Sequence, residues 1–293
     1  MDDLPEIARR ASTITGRMIL HNHDIQRLVV HEWERDGVQH VAWPDDGQDV
    51  PYDAAVIGLK LFNYPTGQLR LIDFKKGART PWHRNSHQDA LFYGLDSTQI
   101  EFVDEATHHA YPGDASLHPE GVMHHSETII GGVRVEFGFA PQGKSGHDLL
   151  AIPGHTLGIH TVHEQVIDGR KRVAFRPPTS ETPLDGLSFK AKLFQFPAYA
   201  ILEAHYPTAT VLPRHVNQDE KIVYVISGRM AVSIGKEAAE VGPGDVYRMA
   251  AGMTFERRTL EPTVVIEVDG SEAPWAFTYP AAPDASGDEA TPL

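Results

Sequence analysis

His83-Arg84-Asn85-Ser86-His87-Gln88-Asp89, then Pro112-Gly113-Asp114, then Pro119-Glu120-Gly121-Val122-Met123-His124, is the run of residues on which the reading of this chain turns. The same signposts recur in the same order further on. His215-x-Asn217-x3-Lys221 is followed by Gly228, by Gly242-Pro243-Gly244-Asp245 and by Ala250-x-Gly252-x-x-Phe255. Two copies of one pattern of turn and ligand-type residues point to an internal duplication.

Around both copies the chain reads as short alternating apolar runs separated by Gly, Pro and Asp. Ala55–Tyr64, Gln68–Phe74, Leu91–Leu95, Gln99–Val103 and Val133–Phe139 form one series of expected strands. Tyr199–His205, Ile222–Ile226, Ala231–Ile234, Val246–Met249 and Thr263–Val268 form the second. Helical periodicity is scarce, and only the first dozen residues read as a helix. Many short strands with frequent turns specify an all-β protein built of sandwiches or barrels. The expected division is an N-terminal arm over 1–50, a first barrel over 51–145, a connection over 146–186, a second barrel over 187–279 and a tail of disordered composition over 280–293. Within the connection, His160–Ile167 reads as a strand.

Composition removes several classes of function. A formal net charge of −14 opposes nucleic acid or an anionic membrane as the main partner. With no cysteine, thiolate metal sites, iron–sulfur clusters, disulfides and Cys nucleophiles are excluded, so a metal must be held by His and carboxylates. Seventeen histidines supply them. The N-terminus lacks a secretory pattern, and no apolar run is long enough for a membrane helix, so a cytoplasmic location is expected.

Residues two apart on a strand share a face. His83, Asn85 and Asp89 are separated by even steps, and His124 lies on a strand able to neighbour them. Two imidazoles and one carboxylate, His83, His124 and Asp89, then suit a facial triad for non-haem Fe(II), with Mn(II), Ni(II) or Zn(II) able to fill the same set. The alternative is a buried hydrogen-bonded cluster with no metal. His125 faces away from His124, and a second metal at His108-His109 or at His21, His23 and His31 is not expected. Arg84 reads as a structural ion-pair partner. Glu136 and Arg70 fit either a paired core charge or a pocket wall.

The order His-x-(His or Asn)-x3-(Glu or Asp)…Pro-x-Gly-x-x-His resembles the two motifs of the cupin superfamily, and the duplication resembles a bicupin. Trp82-His83-Arg84-Asn85, the carboxylate of Asp89, and Leu117-His118 six residues before His124 resemble the homogentisate-dioxygenase-like proteins. The resemblance implies two tandem jelly-roll barrels, Fe(II), and O2-dependent cleavage of a small hydroxylated aromatic ring. It makes His83, Asp89 and His124 ligands and places His118 beside the substrate hydroxyl. His118 or His87 would take the released proton. Asp89 is one methylene shorter than the family's usual Glu, and Thr98 stands where the family tends to have a Tyr. In the second copy Lys221 and Phe255 fall at the carboxylate and last histidine positions, so that barrel is expected to hold no metal. The alternatives are a metal-dependent isomerase, lyase or hydrolase without O2 chemistry, and a non-catalytic small-ligand binder. Cupins often pair through their sheets, so a homo-oligomer is expected.

Overall fold

The computed structural model describes residues 16–25, 27–35, 38–42, 55–64, 67–85, 89–139, 156–167, 170–176, 187–196, 199–216 and 220–269. The helix expected in the first dozen residues, the tail over 280–293 and His87 lie outside them. Apart from one 3-10 turn at Asn22–Asp24, the elements are all strands. They fall into two units, residues 1–16 with 23–155 and residues 17–22 with 156–293.

The first unit holds two antiparallel sheets. Seven strands run in the spatial order Ala115–His118, Asp89–Gly94, Gly132–Phe139, Gly67–Phe74, Ala55–Tyr64, Leu28–Arg35 and Val38–Ala42. Four more run His83–Arg84, Met123–Ile130, Thr98–Val103 and Ala106–Ala110. In the second unit the order is Val246–Met249, Lys221–Ser227, Thr263–Asp269, Ala200–Tyr206, Leu187–Gln195, Thr156–Ile167 and Arg170–Arg176. It continues through Val211–Val216, Thr254–Thr259, Met230–Ile234 and Glu237–Val241. The two series are joined by one parallel bridge, Arg170↔Val216. Taken in chain order, every strand of the first unit has a counterpart at the same sheet position in the second. The duplication therefore extends to eleven strands in each unit among the described residues. The short strand Ile19–Leu20 is an addition, paired to Tyr247 and Val246 of the second unit.

The correspondence reaches beyond the stretches where the alternation is easy to read. Leu28–Arg35 and Val38–Ala42, in the region taken as an arm, occupy the sheet positions that Thr156–Ile167 and Arg170–Arg176 occupy in the second unit. The region taken as a connection thus supplies two outer strands, one of twelve residues.

The turns match at the level of single hydrogen bonds. Gly113 and Gly244 both adopt left-handed backbone, with φ of 82° and 87°, a conformation that a Cβ makes costly. Gly113 N–H donates to Gly94 O and Gly244 N–H to Val225 O, each at 2.8 Å. Asp114 accepts the Tyr111 N–H and Asp245 the Gly242 N–H on a side-chain oxygen. Each Pro-Gly-Asp turn is closed by its own aspartate.

Strand pairing also fixes the register of the two copies. His83 pairs with His124, and His215 pairs with Phe255. Ala90 pairs with His118, and Lys221 pairs with Met249. Lys221 is therefore the counterpart of Ala90, and Glu220 that of Asp89. This corrects the alignment drawn from spacing alone, because the segment after His215 is one residue shorter than the one after His83. Glu220 is spent on a two-pronged ion pair, accepting Arg248 Nε and Nη2 at 2.8 Å each.

The interior of the second unit is mostly apolar. Val223, Val225, Met230, Val232, Ile234, Tyr247, Met249, Phe255 and Val265 belong to one buried cluster. Within the same barrel Arg257, Glu267 and Tyr206 form a buried hydrogen-bonded group. Phe255 is 1% exposed and stacks on Tyr247. Phe255→Ala should cost the second unit about 3–5 kcal/mol. Urea denaturation followed by circular dichroism would show the lower midpoint.

Candidate functional site

One strand of the first unit is built the wrong way round for a simple core. In Thr98–Val103 the inward residues are Gln99, Glu101 and Val103, while Ile100 and Phe102 face outward. Phe102 lies flat against His125 at 4.3 Å, and Trp82 tilts against the same ring at 4.3 Å. That outer aromatic stack gives the displaced apolar side chains something to cover. Facing inward from Met123–Ile130, His124, Ser126 and Thr128 are buried as well.

Glu101 is the centre of the interior. It is fully buried, and Arg134, 2% exposed, sets a guanidinium nitrogen against Glu101 Oε1. His118 Nε2 lies 3.4 Å from Glu101 Oε2. Arg134 donates further to Gln99 Oε1 and Ser116 Oγ and lies over the Phe92 ring. Burial works against the charge on Glu101. The fields of Arg134 and His118 and the hydrogen bond from His118 outweigh it, holding the carboxyl far below its usual range. His108 stands opposite Glu101 across the strand pair. Burial holds it below the ordinary histidine value against the pull of Glu101.

Three histidines close over this network. The His124 ring lies 4.3 Å from that of His83 and 4.5 Å from that of His118. His83 Nδ1–H donates to Pro81 O at 2.7 Å, and His124 Nδ1–H donates to Val122 O at 2.9 Å. A carbonyl can only accept, so both rings carry their proton on Nδ1 and leave Nε2 as the acceptor. Burial, then the fields of His118 and His83, push the His124 pKa down to about 2, so its ring is neutral.

Asp89 is buried, and its Oδ1 accepts the Glu120 backbone N–H at 2.8 Å. Asn85 acts beside it, donating to His118 O at 3.2 Å and accepting Gly121 N–H at 2.9 Å through its own carbonyl. Both residues brace the Pro119–Gly121 turn. Among the described residues no group of three or more imidazoles and carboxylates is arranged to hold a metal ion. The donors on offer are the Nε2 atoms of His83 and His124 and the Asp89 carboxylate, one oxygen of which accepts the Glu120 amide. Glu136 accepts Arg70 Nη1 at 2.7 Å and is a paired core charge.

The comparisons with known proteins agree with this architecture. Residues 202–269 match the cupin domain family. The structure is similar to AerE from Microcystis aeruginosa, with 10% identity, 74% of this chain and 93% of that chain covered, and a TM-score of 0.57. It is also similar to the oxalate decarboxylase of Bacillus subtilis, a protein with Mn(II) centres, with 12% identity, 92% and 80% coverage, and a TM-score of 0.57. The fold is a pair of tandem cupin barrels. The structure is similar as well to Ylba from E. coli, with 10% identity, 74% and 84% coverage, and a TM-score of 0.53. No curated protein sequence matches the chain.

Between the two cupin barrels the contrast is sharp. By the strand register, Gln99, Glu101, Ser116, His118 and Arg134 correspond to Met230, Val232, Tyr247, Met249 and Val265. Those counterparts all lie in the apolar core of the second barrel. The sequence reading singled out His118 but passed over Glu101. The signal was present in the alternation of Thr98-Gln-Ile-Glu-Phe-Val103, where the phase shared with Val103 is polar. Arg134→Val alone would leave Glu101 as a buried unpaired charge and should cost about 3–5 kcal/mol. Glu101→Val, His118→Met and Arg134→Val together place the second barrel's residues at these three positions and should recover most of that loss. Urea midpoints of the two variants test the difference.

Proposed function

We propose that the first barrel is the active site of a small-molecule enzyme working by proton transfer, with His118 as its base, and that the second barrel is a structural partner. One observation carries the reading. At positions that the second barrel fills with Val232, Met249 and Val265, the first sets a histidine against a buried carboxylate–guanidinium pair.

A buried ion pair is weak as a stabilising device, since hydrophobic residues of similar volume often serve as well or better. The second barrel also buries an ion pair, Arg257 with Glu267, but sets a phenol and not an imidazole against it, so the histidine is what argues for chemistry. His118 has the form such chemistry needs. One ring nitrogen engages a carboxylate, while the other, Nδ1, is buried without a hydrogen-bond partner. Phe92 lies against the ring at 4.6 Å and limits its movement. A substrate C–H or O–H brought to Nδ1 would pass its proton to an imidazole whose charge Glu101 stabilises. This corresponds to an isomerase, lyase or hydrolase.

A second reading is favoured by the tethering of His83 and His124. Each donates Nδ1–H to a carbonyl two residues earlier, the arrangement that orients an imidazole toward a metal through Nε2. With Asp89 as the third donor, Fe(II) would complete the expected triad. The residues shared with homogentisate-dioxygenase-like proteins would then support ring cleavage with O2. Mn(II), Ni(II) or Zn(II) on the same residues would serve the non-oxidative reading as a Lewis acid.

Two assays separate the readings. In D2O, a panel of hydroxy acids, keto acids and enolisable small molecules should include a compound that gains deuterium. His118→Asn should reduce that exchange by on the order of 10²–10⁴-fold. Exchange unchanged by the substitution would remove His118 as the base. Protein loaded anaerobically with Fe(II) is then given air and catechol, gentisate, homogentisate or an aminophenol. O2 consumption would favour ring cleavage over the first reading.

A further inference from the structure

We infer that Glu101 is a positioning residue that sets the tautomer of His118, keeping the proton on Nε2 and the lone pair on Nδ1, and that Arg134 holds Glu101 in the state that does so. The inference rests on the reading of His118 as the base and names what makes it one.

What each group can donate decides the tautomer. Arg134 has only donors, and its guanidinium nitrogen stands against Glu101 Oε1. Glu101 is therefore held as an acceptor-only carboxylate. Its other oxygen, Oε2, faces His118 Nε2 at 3.4 Å, so the hydrogen between them belongs to the imidazole. In its neutral form the His118 imidazole carries one N–H, which leaves Nδ1 with its lone pair. This is the reverse of His83 and His124, whose protons are drawn to Nδ1 by backbone carbonyls. The three rings thus fall into two classes, set by the partner each finds. In the second barrel the three members of this relay are replaced together, by Val232, Met249 and Val265.

Glu101→Gln gives the inference a sharp test, because the amide has one accepting and one donating end. Arg134 can only donate, so the new side chain must turn its oxygen to Arg134 and its NH2 to His118. Nε2 would then have to accept, and the proton would move to Nδ1. The volume is nearly unchanged and no bare buried carboxylate is created.

The experiment is long-range 1H–15N correlation of the histidine rings in the full chain labelled with 15N, with His118 assigned by the signals lost in His118→Asn. The intact protein should show a pyrrole-type Nε2 and a pyridine-type Nδ1 at His118, and Glu101→Gln should exchange the two. A protonated Nδ1 in the intact protein, or a tautomer unmoved by Glu101→Gln, would overturn the inference. If Glu101→Gln does not fold, the spectrum of the intact protein decides alone. No substrate enters this measurement, so its failure is separate from a failure of the deuterium assay. For a compound that passes that assay, Glu101→Gln should lower kcat on the order of 10²–10⁴-fold with KM little changed.

Discussion

The first barrel depends on a carboxylate that has no access to water. Glu101 can remain ionised inside the sheets only because Arg134 faces it and because His118 donates to it. Every other feature of the interior follows from meeting that demand. Arg134 needs further acceptors, which Gln99 and Ser116 provide, and its flat face rests on Phe92. Gln99 and Glu101 occupy the inward phase of their strand, so Ile100 and Phe102 are forced to the outer surface, where Trp82 and His125 pack against the Phe102 ring. The strand has given up a hydrophobic inner face in exchange for a charge.

The second barrel shows that the fold does not require this. The same eleven strands and the same closed Pro-Gly-Asp turns carry Met230, Val232, Met249 and Val265 at the corresponding positions. It does enclose Arg257 with Glu267 and Tyr206, so burying an ion pair is within its means. The third member of that group is a phenol, where the first barrel has an imidazole. His215 donates to Pro213 O and meets Phe255 edge-on, where its counterpart His83 meets another imidazole. The difference between the barrels is thus the presence of a histidine relay, not of buried charge as such.

Much of the fold was legible because its signposts are set by the backbone. Gly113 and Gly244 must accommodate positive φ, and Asp114 and Asp245 close their own turns, so these residues recur at fixed offsets and reveal the duplication. The outer strands over 28–42 and 156–176 were harder to read, since their sequences mix charge with apolar residues. In the candidate site, the proximity of His83 and His124 followed from strand logic. The bond from the Glu120 amide to Asp89 was not legible. Spacing places a residue on a strand and says nothing about which nearby donor captures its side chain.

Glu101, His118 and Arg134 stand where the second barrel has Val232, Met249 and Val265, while the strands of the two barrels stay in register. The three form one connected group: the acid needs its counter-ion to stay charged in the interior, and the histidine faces the acid's other oxygen.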